Sequence, residues 1–235
     1  MKKGKIISAV FPKGGEWKST FIQTISTSKV MEKYTRKILE ADSQNSISDW
    51  LEERPDDLKP LPIKVEKFDP FSEMDEVMEE MQKKCDILFT DFPGESISSK
   101  LTKSGLAYSD LCIIPIRPSD KAIRAFENNL LPIIKQVNEI RGGNQYVYLL
   151  PTFAHANANL DSYRKIFEPY EEDVNICQNV HIDRNIYTYF SSGGLSLNEY
   201  YQSIKTNKRE AKIVKKAISE VDAIANEVLQ ILNNL

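Results

Sequence analysis

The chain has 235 residues, of which 41% are hydrophobic and 28% charged, enough apolar content for one large α/β domain and too much for global disorder. Its net charge of −3 hides a polarised chain: residues 40–86 carry 15 acids against 6 bases, whereas 205–216 carry six bases against Glu210 alone. Two histidines, His155 and His181, exclude a histidine-rich metal site, and the isolated Cys85, Cys112 and Cys177 read as reduced thiols of a cytosolic protein. No apolar run is long enough to span a bilayer, and the start MKKGKIISAV lacks the shape of a signal peptide.

In chain order, strands are expected at Lys5–Phe11, Lys37–Ala41, Ile63–Phe68, Asp86–Thr90, Leu111–Pro115 and Tyr146–Leu150. Helices are expected at about 18–33, 72–84, 98–107, 119–140 and 158–168, with further C-terminal helices from about 197. Runs such as ILF at 87–89 and CII at 112–114 are continuously apolar, which suits strands covered on both faces. Strand–helix alternation at this spacing predicts a doubly wound α/β domain, with a mostly parallel sheet and helices on both faces. The proline-rich stretch 55–62 reads as a surface connection within a single domain spanning 1–235.

Glycine is scarce, nine in all, so the pair Gly14–Gly15 in FPKGGEWKST directly after the first strand is informative. A strand, a glycine pair and then Lys18-Ser19-Thr20 opening a helix is a layout that cradles phosphate. Glycines let the backbone approach the anion, and the helix N-terminus adds its dipole. Lys18 would reach the terminal phosphates and the Ser19 hydroxyl would meet Mg²⁺. An ordinary strand-to-helix turn is the alternative reading of the same residues.

The box K-G-G-x-x-K-S-T, with Lys13 ahead of the glycines, resembles the deviant Walker A motif of the ParA/MinD ATPases, a subclass of P-loop nucleoside triphosphatases. The resemblance implies ATP and Mg²⁺ as cofactors, with Gly14, Gly15, Glu16, Trp17, Lys18, Ser19 and Thr20 around the nucleotide. It makes Lys13 the signature lysine that reaches the partner's phosphates in an ATP-bound homodimer. Two further boxes follow in the family's order. LEADSQNSISDWL is similar to its Asp-x-Asp-Pro-Gln segment, with Glu40 for the first acid and Asp42 for the second, which would position the attacking water. A strand-end acid capping a turn is the alternative for Asp42. CDILFTDFPGES places Asp91 as the Walker B acid, which holds Mg²⁺ through water. The segments 109–126 and 181–200 resemble later parts of the family pattern.

The chain also departs from that pattern. Trp17 stands where the family has glycine before the catalytic lysine, and a left-handed backbone there would cost about 1–2 kcal/mol of strain. Glu16 adds a carboxylate near the phosphates. The family's adenine-contacting asparagine has no match; Thr152 and Phe153 occupy that neighbourhood, where Phe153 either stacks on a base or packs. Slow ATP hydrolysis is the expectation.

The resemblance further implies a plasmid- or mobile-element partition protein that binds duplex DNA without sequence preference, associates with the nucleoid and is stimulated by a ParB-like adaptor. On a helix through 205–216, Lys205, Lys208, Arg209, Lys212, Lys215 and Lys216 would share an arc of about 120°, opposite Val214, Ile218, Val221, Ala225 and Leu232. These cations suit a phosphate backbone or simply a solvated face. An ATP-dependent ligase on the same scaffold is one alternative function. A MinD-like membrane-positioning ATPase is another, although the ending VDAIANEVLQILNNL has no lysine or arginine to serve a membrane anchor.

Overall fold

The computed structural model describes residues 3–12, 15, 17–94, 99–191 and 193–235. The expected strands form within one or two residues of their bounds. These are β1 Lys5–Ala9, β2 Arg36–Glu40, β3 Ile63–Lys67, β4 Ile87–Asp91, β5 Leu111–Ile116 and β6 Val147–Pro151. A two-residue strand, β7 Asn175–Ile176, has no apolar signature in the sequence. Among the described residues the sheet runs β3-β2-β4-β1-β5-β6-β7, and every pairing is parallel. The sequence expectation of a doubly wound α/β fold is met.

Alternation along the central strands sends side chains to two cores. On one face Ile7, Ile38 and Phe89 pack against Phe21 and Ile25 of helix α1 (Lys18–Ser26) and Trp50 of α2 (Ser46–Glu52). On the other, Leu88, Cys112 and Ile114 meet Met78 of α3 (Met74–Gln82), Leu106 of α4 (Ser99–Tyr108) and Ile134 of α6 (Leu131–Arg141). Both β4 and β5 are buried along their whole length, as their unbroken apolar runs require. Residues 55–62 lie at the surface, Leu58 and Leu61 half-buried and the rest exposed.

Three helical expectations are corrected. Helix α1 stops at Ser26 rather than running to 33. Thr24 and Thr27 turn their hydroxyls back onto the carbonyls of Thr20 and Gln23, and Ser28 caps a separate 3₁₀ turn at Lys29–Met31. The helix expected over 119–140 is α5 (Asp120–Ala125), a π turn at Phe126–Leu130 and then α6. Pro132 has no N–H for the carbonyl of Asn128, and its ring crowds that carbonyl, so the ladder widens by one residue there. Finally, 205–216 is not one helix. Helix α9 (Leu197–Ile204) ends before Lys205, and α10 (Lys208–Asn234) starts afresh after Asn207, whose side chain accepts from the Glu210 N–H. Short helices α7 (Leu160–Lys165) and α8 (Ile186–Ser191) complete the chain.

Candidate nucleotide site

The sheet's connections change direction around β1, with β2 and β4 on one side and β5 on the other. In open parallel sheets a crevice at the C-terminal strand ends near such a point takes the ligand. The segment leaving β1 enters α1 here, and the ends of β2 and β4 bring their acids beside it. Lys13, Gly14 and Glu16 lie outside the described residues. Gly15 is exposed and left-handed at φ 81°, and nothing lies where a β-carbon would go.

Ser19, in the first turn of α1, donates to Asp91 Oδ2 at 2.6 Å. Asp91 is fully buried at the end of β4, and its Oδ1 has no hydrogen-bond partner among the described residues. Burial pushes its carboxyl up to about 7 against the pull of the Ser19 bond and the Lys18 charge, with Asp42 and Glu40 adding a smaller upward push. An orphaned carboxylate oxygen beside a serine hydroxyl, at the turn between β1 and α1, fits Mg²⁺. That ion keeps several waters and needs only one or two protein oxygens when phosphates supply others. Lys18 is itself only 5% exposed, so its ammonium sits inside the site rather than in bulk solvent.

The second box separates into two roles. Buried Glu40 accepts from the Ile47 and Ser48 backbone N–H groups at 2.6 and 3.1 Å and from the Ser48 hydroxyl at 2.5 Å. It therefore holds the first turn of α2, satisfying donors that a helix start leaves open. Asp42 Oδ1 accepts from Gln44 N at 3.0 Å, so the turn-capping geometry foreseen as the alternative is present. The same carboxylate borders a cavity of about 310 Å³ that is also lined by Phe68, Phe71, Glu73 and Lys100.

Trp17 does adopt the left-handed conformation, φ 70° and ψ 12°, as the residue preceding α1. The strain of about 1–2 kcal/mol is met by packing. Trp17 is 7% exposed and its indole stacks on the His181 ring, 21° from parallel, at 3.7 Å between centroids, with Phe21 and Tyr187 edge-on at 5.9 and 5.8 Å. Aromatic pairs of this kind contribute about 0.5–1.5 kcal/mol each beyond their area, enough to offset the strain. His181 itself is buried. Phe153 N donates to its Nδ1 at a long 3.5 Å, and burial, helped by the Arg184 charge, pushes its pKa down to about 3. The ring is thus neutral, with Nε2 and the indole Nε1 both buried without a partner among the described residues. Sequence reasoning missed His181 and Tyr187, because no local motif brings 181–187 to the phosphate loop.

At the end of β6 the Thr152 hydroxyl is buried without a partner among the described residues. Phe153 is also left-handed, φ 60°, and carries the Arg117 guanidinium 3.7 Å above its ring centroid. Lys205, Lys208, Arg209, Lys212, Lys215 and Lys216 are all exposed, the last five on α10 and Lys205 in the turn before it. Val214, Val221, Ala225 and Leu232 are buried on the opposite side of α10, with Ile218 half-buried.

A seven-stranded, all-parallel sheet with helices on both faces is a doubly wound α/β fold. Within that class the fold is that of the ParA/MinD ATPases. The chain superposes on pNOB8 ParA with a TM-score of 0.68 at 16% identity, covering 98% of this chain and 99% of that one. MinD of Aquifex aeolicus gives 0.66 at 13%, with 97% of each chain covered. McdA of Cyanothece in complex with ATP gives 0.63 at 11%, again with 97% of each covered. No family model and no curated protein matches the sequence. Among the described residues no helix is long and apolar enough to cross a membrane.

Proposed function

We propose that the chain is a ParA-type partition ATPase that binds Mg-ATP at the turn between β1 and α1, dimerises on it, binds duplex DNA through the start of α10 and hydrolyses ATP slowly. The observation that carries this reading is the Ser19–Asp91 pair with its open carboxylate oxygen beside Lys18. In it Ser19 and Asp91 would hold Mg²⁺, directly or through water, and Lys18 the terminal phosphates. Asp42 would orient the attacking water, while Glu40 keeps α2 and the turn before it in place. Bound Mg²⁺ would neutralise charge developing on the phosphates. Calorimetry with Mg-ATP tests the reading: Lys18→Ala should abolish or severely weaken binding by removing a charge-assisted contact. Equal affinity of the two proteins, or none in the wild type, overturns it.

The cavity beside Asp42 favours a second reading, an ATP-dependent ligase on the same scaffold whose substrate would sit there. ADP release that requires an added small carboxylic acid, in a protein that ignores DNA, would select it.

A further inference from the structure

We propose that Trp17 and His181 form a clamp that sets the phosphate loop, so that nucleotide affinity depends on a residue outside every nucleotide motif. The inference rests on the nucleotide-binding reading above. Glycine at position 17 would visit the left-handed region freely, but tryptophan does not. Here the residue is held at φ 70° with its indole stacked on His181 at 3.7 Å. The consequence for the loop is direct. The Trp17 carbonyl accepts the Phe21 N–H at 2.7 Å, closing the first turn of α1, and that turn carries Lys18 and places Ser19 on Asp91.

His181 is fixed from the other side. Its backbone N–H donates to the Pro151 carbonyl at 2.9 Å, and its carbonyl accepts from Ala154 N at 3.0 Å, so it is tied to the end of β6. Phe153 meets its ring edge-on at 5.7 Å and Tyr187 lies at 4.8 Å. The imidazole is therefore a built-in platform, and the loop residue is the part that moves when the platform is lost. With the platform gone, residue 17 relaxes toward ordinary backbone, and binding has to restore the strained conformation. Apparent affinity falls by the fraction of molecules that remain competent.

His181 is thus a positioning residue, and its test separates position from stability. Affinity for Mg-AMP-PNP is measured by calorimetry in the wild type, His181→Ala, His181→Phe and Phe167→Ala. The last is a control that truncates a fully buried side chain in the other core. Returning tryptophan to a left-handed backbone unaided predicts a loss of about 5- to 30-fold for His181→Ala. His181→Phe, which keeps a flat ring under the indole, should recover affinity to within about threefold, and Phe167→Ala should bind like the wild type despite a lower melting temperature. In a Trp50→Phe background, where Trp17 is the only tryptophan, His181→Ala should shift the emission to the red and His181→Phe should not. Unchanged affinity in His181→Ala, or the same loss in Phe167→Ala, overturns the clamp. Absence of nucleotide binding in the wild type instead overturns the reading on which it rests.

Discussion

The neutral His181 makes the fold sensitive to acid by an amount that follows from its burial. Its folded pKa is about 3, below the ordinary 6.5, because desolvation disfavours the imidazolium and the Arg184 charge adds to that. Trp17, Phe153 and Tyr187 surround the ring and bring no negative charge to offset it. A depressed folded pKa means that the unfolded chain takes up the proton first. The stability held by the neutral ring is therefore complete above about pH 6.5 and is lost as the pH falls toward 3. At pH 5 the chain is 1.5 pH units below the unfolded value, and at 1.36 kcal/mol per unit the loss is about 2 kcal/mol. That figure hardly changes with the folded value, provided the latter lies below about 4. His181→Phe retains the stack and removes the titration. Urea unfolding at pH 7 and pH 5 should show wild type losing about 2 kcal/mol more than the variant between the two, all other groups cancelling in the difference. Equal acid losses would show that the imidazole is not held neutral and would refute the reasoning.

Further expectations follow from the other residues of the site and from α10. Lys13→Ala should retain nucleotide binding but lose the dimer induced by a nonhydrolysable analogue, read by light scattering; a wild type that stays monomeric in every nucleotide state contradicts the assignment. Glu40→Gln should lower stability by about 1–2 kcal/mol in urea melts through the weakened start of α2, with little change in ATP affinity measured by calorimetry. Reversing Lys212 and Lys215 to glutamate should weaken binding to all duplex sequences alike and leave ATP affinity unchanged. With four phosphate contacts, the wild-type log K against log salt should have a slope of about −3.6.

The central strands were legible because a parallel strand covered on both faces has to be apolar throughout, as 87–89 and 111–116 are. Strand β7 was not, because two residues at a sheet edge carry no period. Helix α2, SISDWLE, is short and polar, and its start is held by Glu40 from six residues upstream, a signal invisible to local periodicity. The break before α10 was readable in principle. Asn207 three residues before Glu210 is a helix-start signal, and the wheel that grouped Lys205 with the other cations ran through it. In the candidate site, Ser19 and Asp91 came from motif order, and the left-handed backbone at Trp17 from the glycine it replaces. What offsets that strain came from neither, because His181 is joined to the loop only by the fold.

The same absence of local signal conceals how α10 is fixed. Arg184 donates twice to Glu220, at 2.7 and 2.5 Å, and the Ser28 hydroxyl donates to Asp222 at 2.6 Å. These bonds tie α10 to the segment after His181 and to the turn after α1. Together with Val214, Val221 and Val228 in the core, they set the rotation of the helix about its own axis. Lys208, Arg209, Lys212, Lys215 and Lys216 consequently face solvent by construction rather than by default. The acids of 40–86, by contrast, lie on β2, α2, β3 and α3 and on the connections between and after them. At physiological ionic strength charges separated by more than about 8 Å are largely screened from one another. A polyanion at α10 therefore responds chiefly to the charges within that distance, five of them these exposed cations, rather than to the net charge of −3. The overall acidity of the chain is accordingly no argument against DNA at this helix, and the salt slope of the wild type, compared with that of the double reversal, measures the local patch alone.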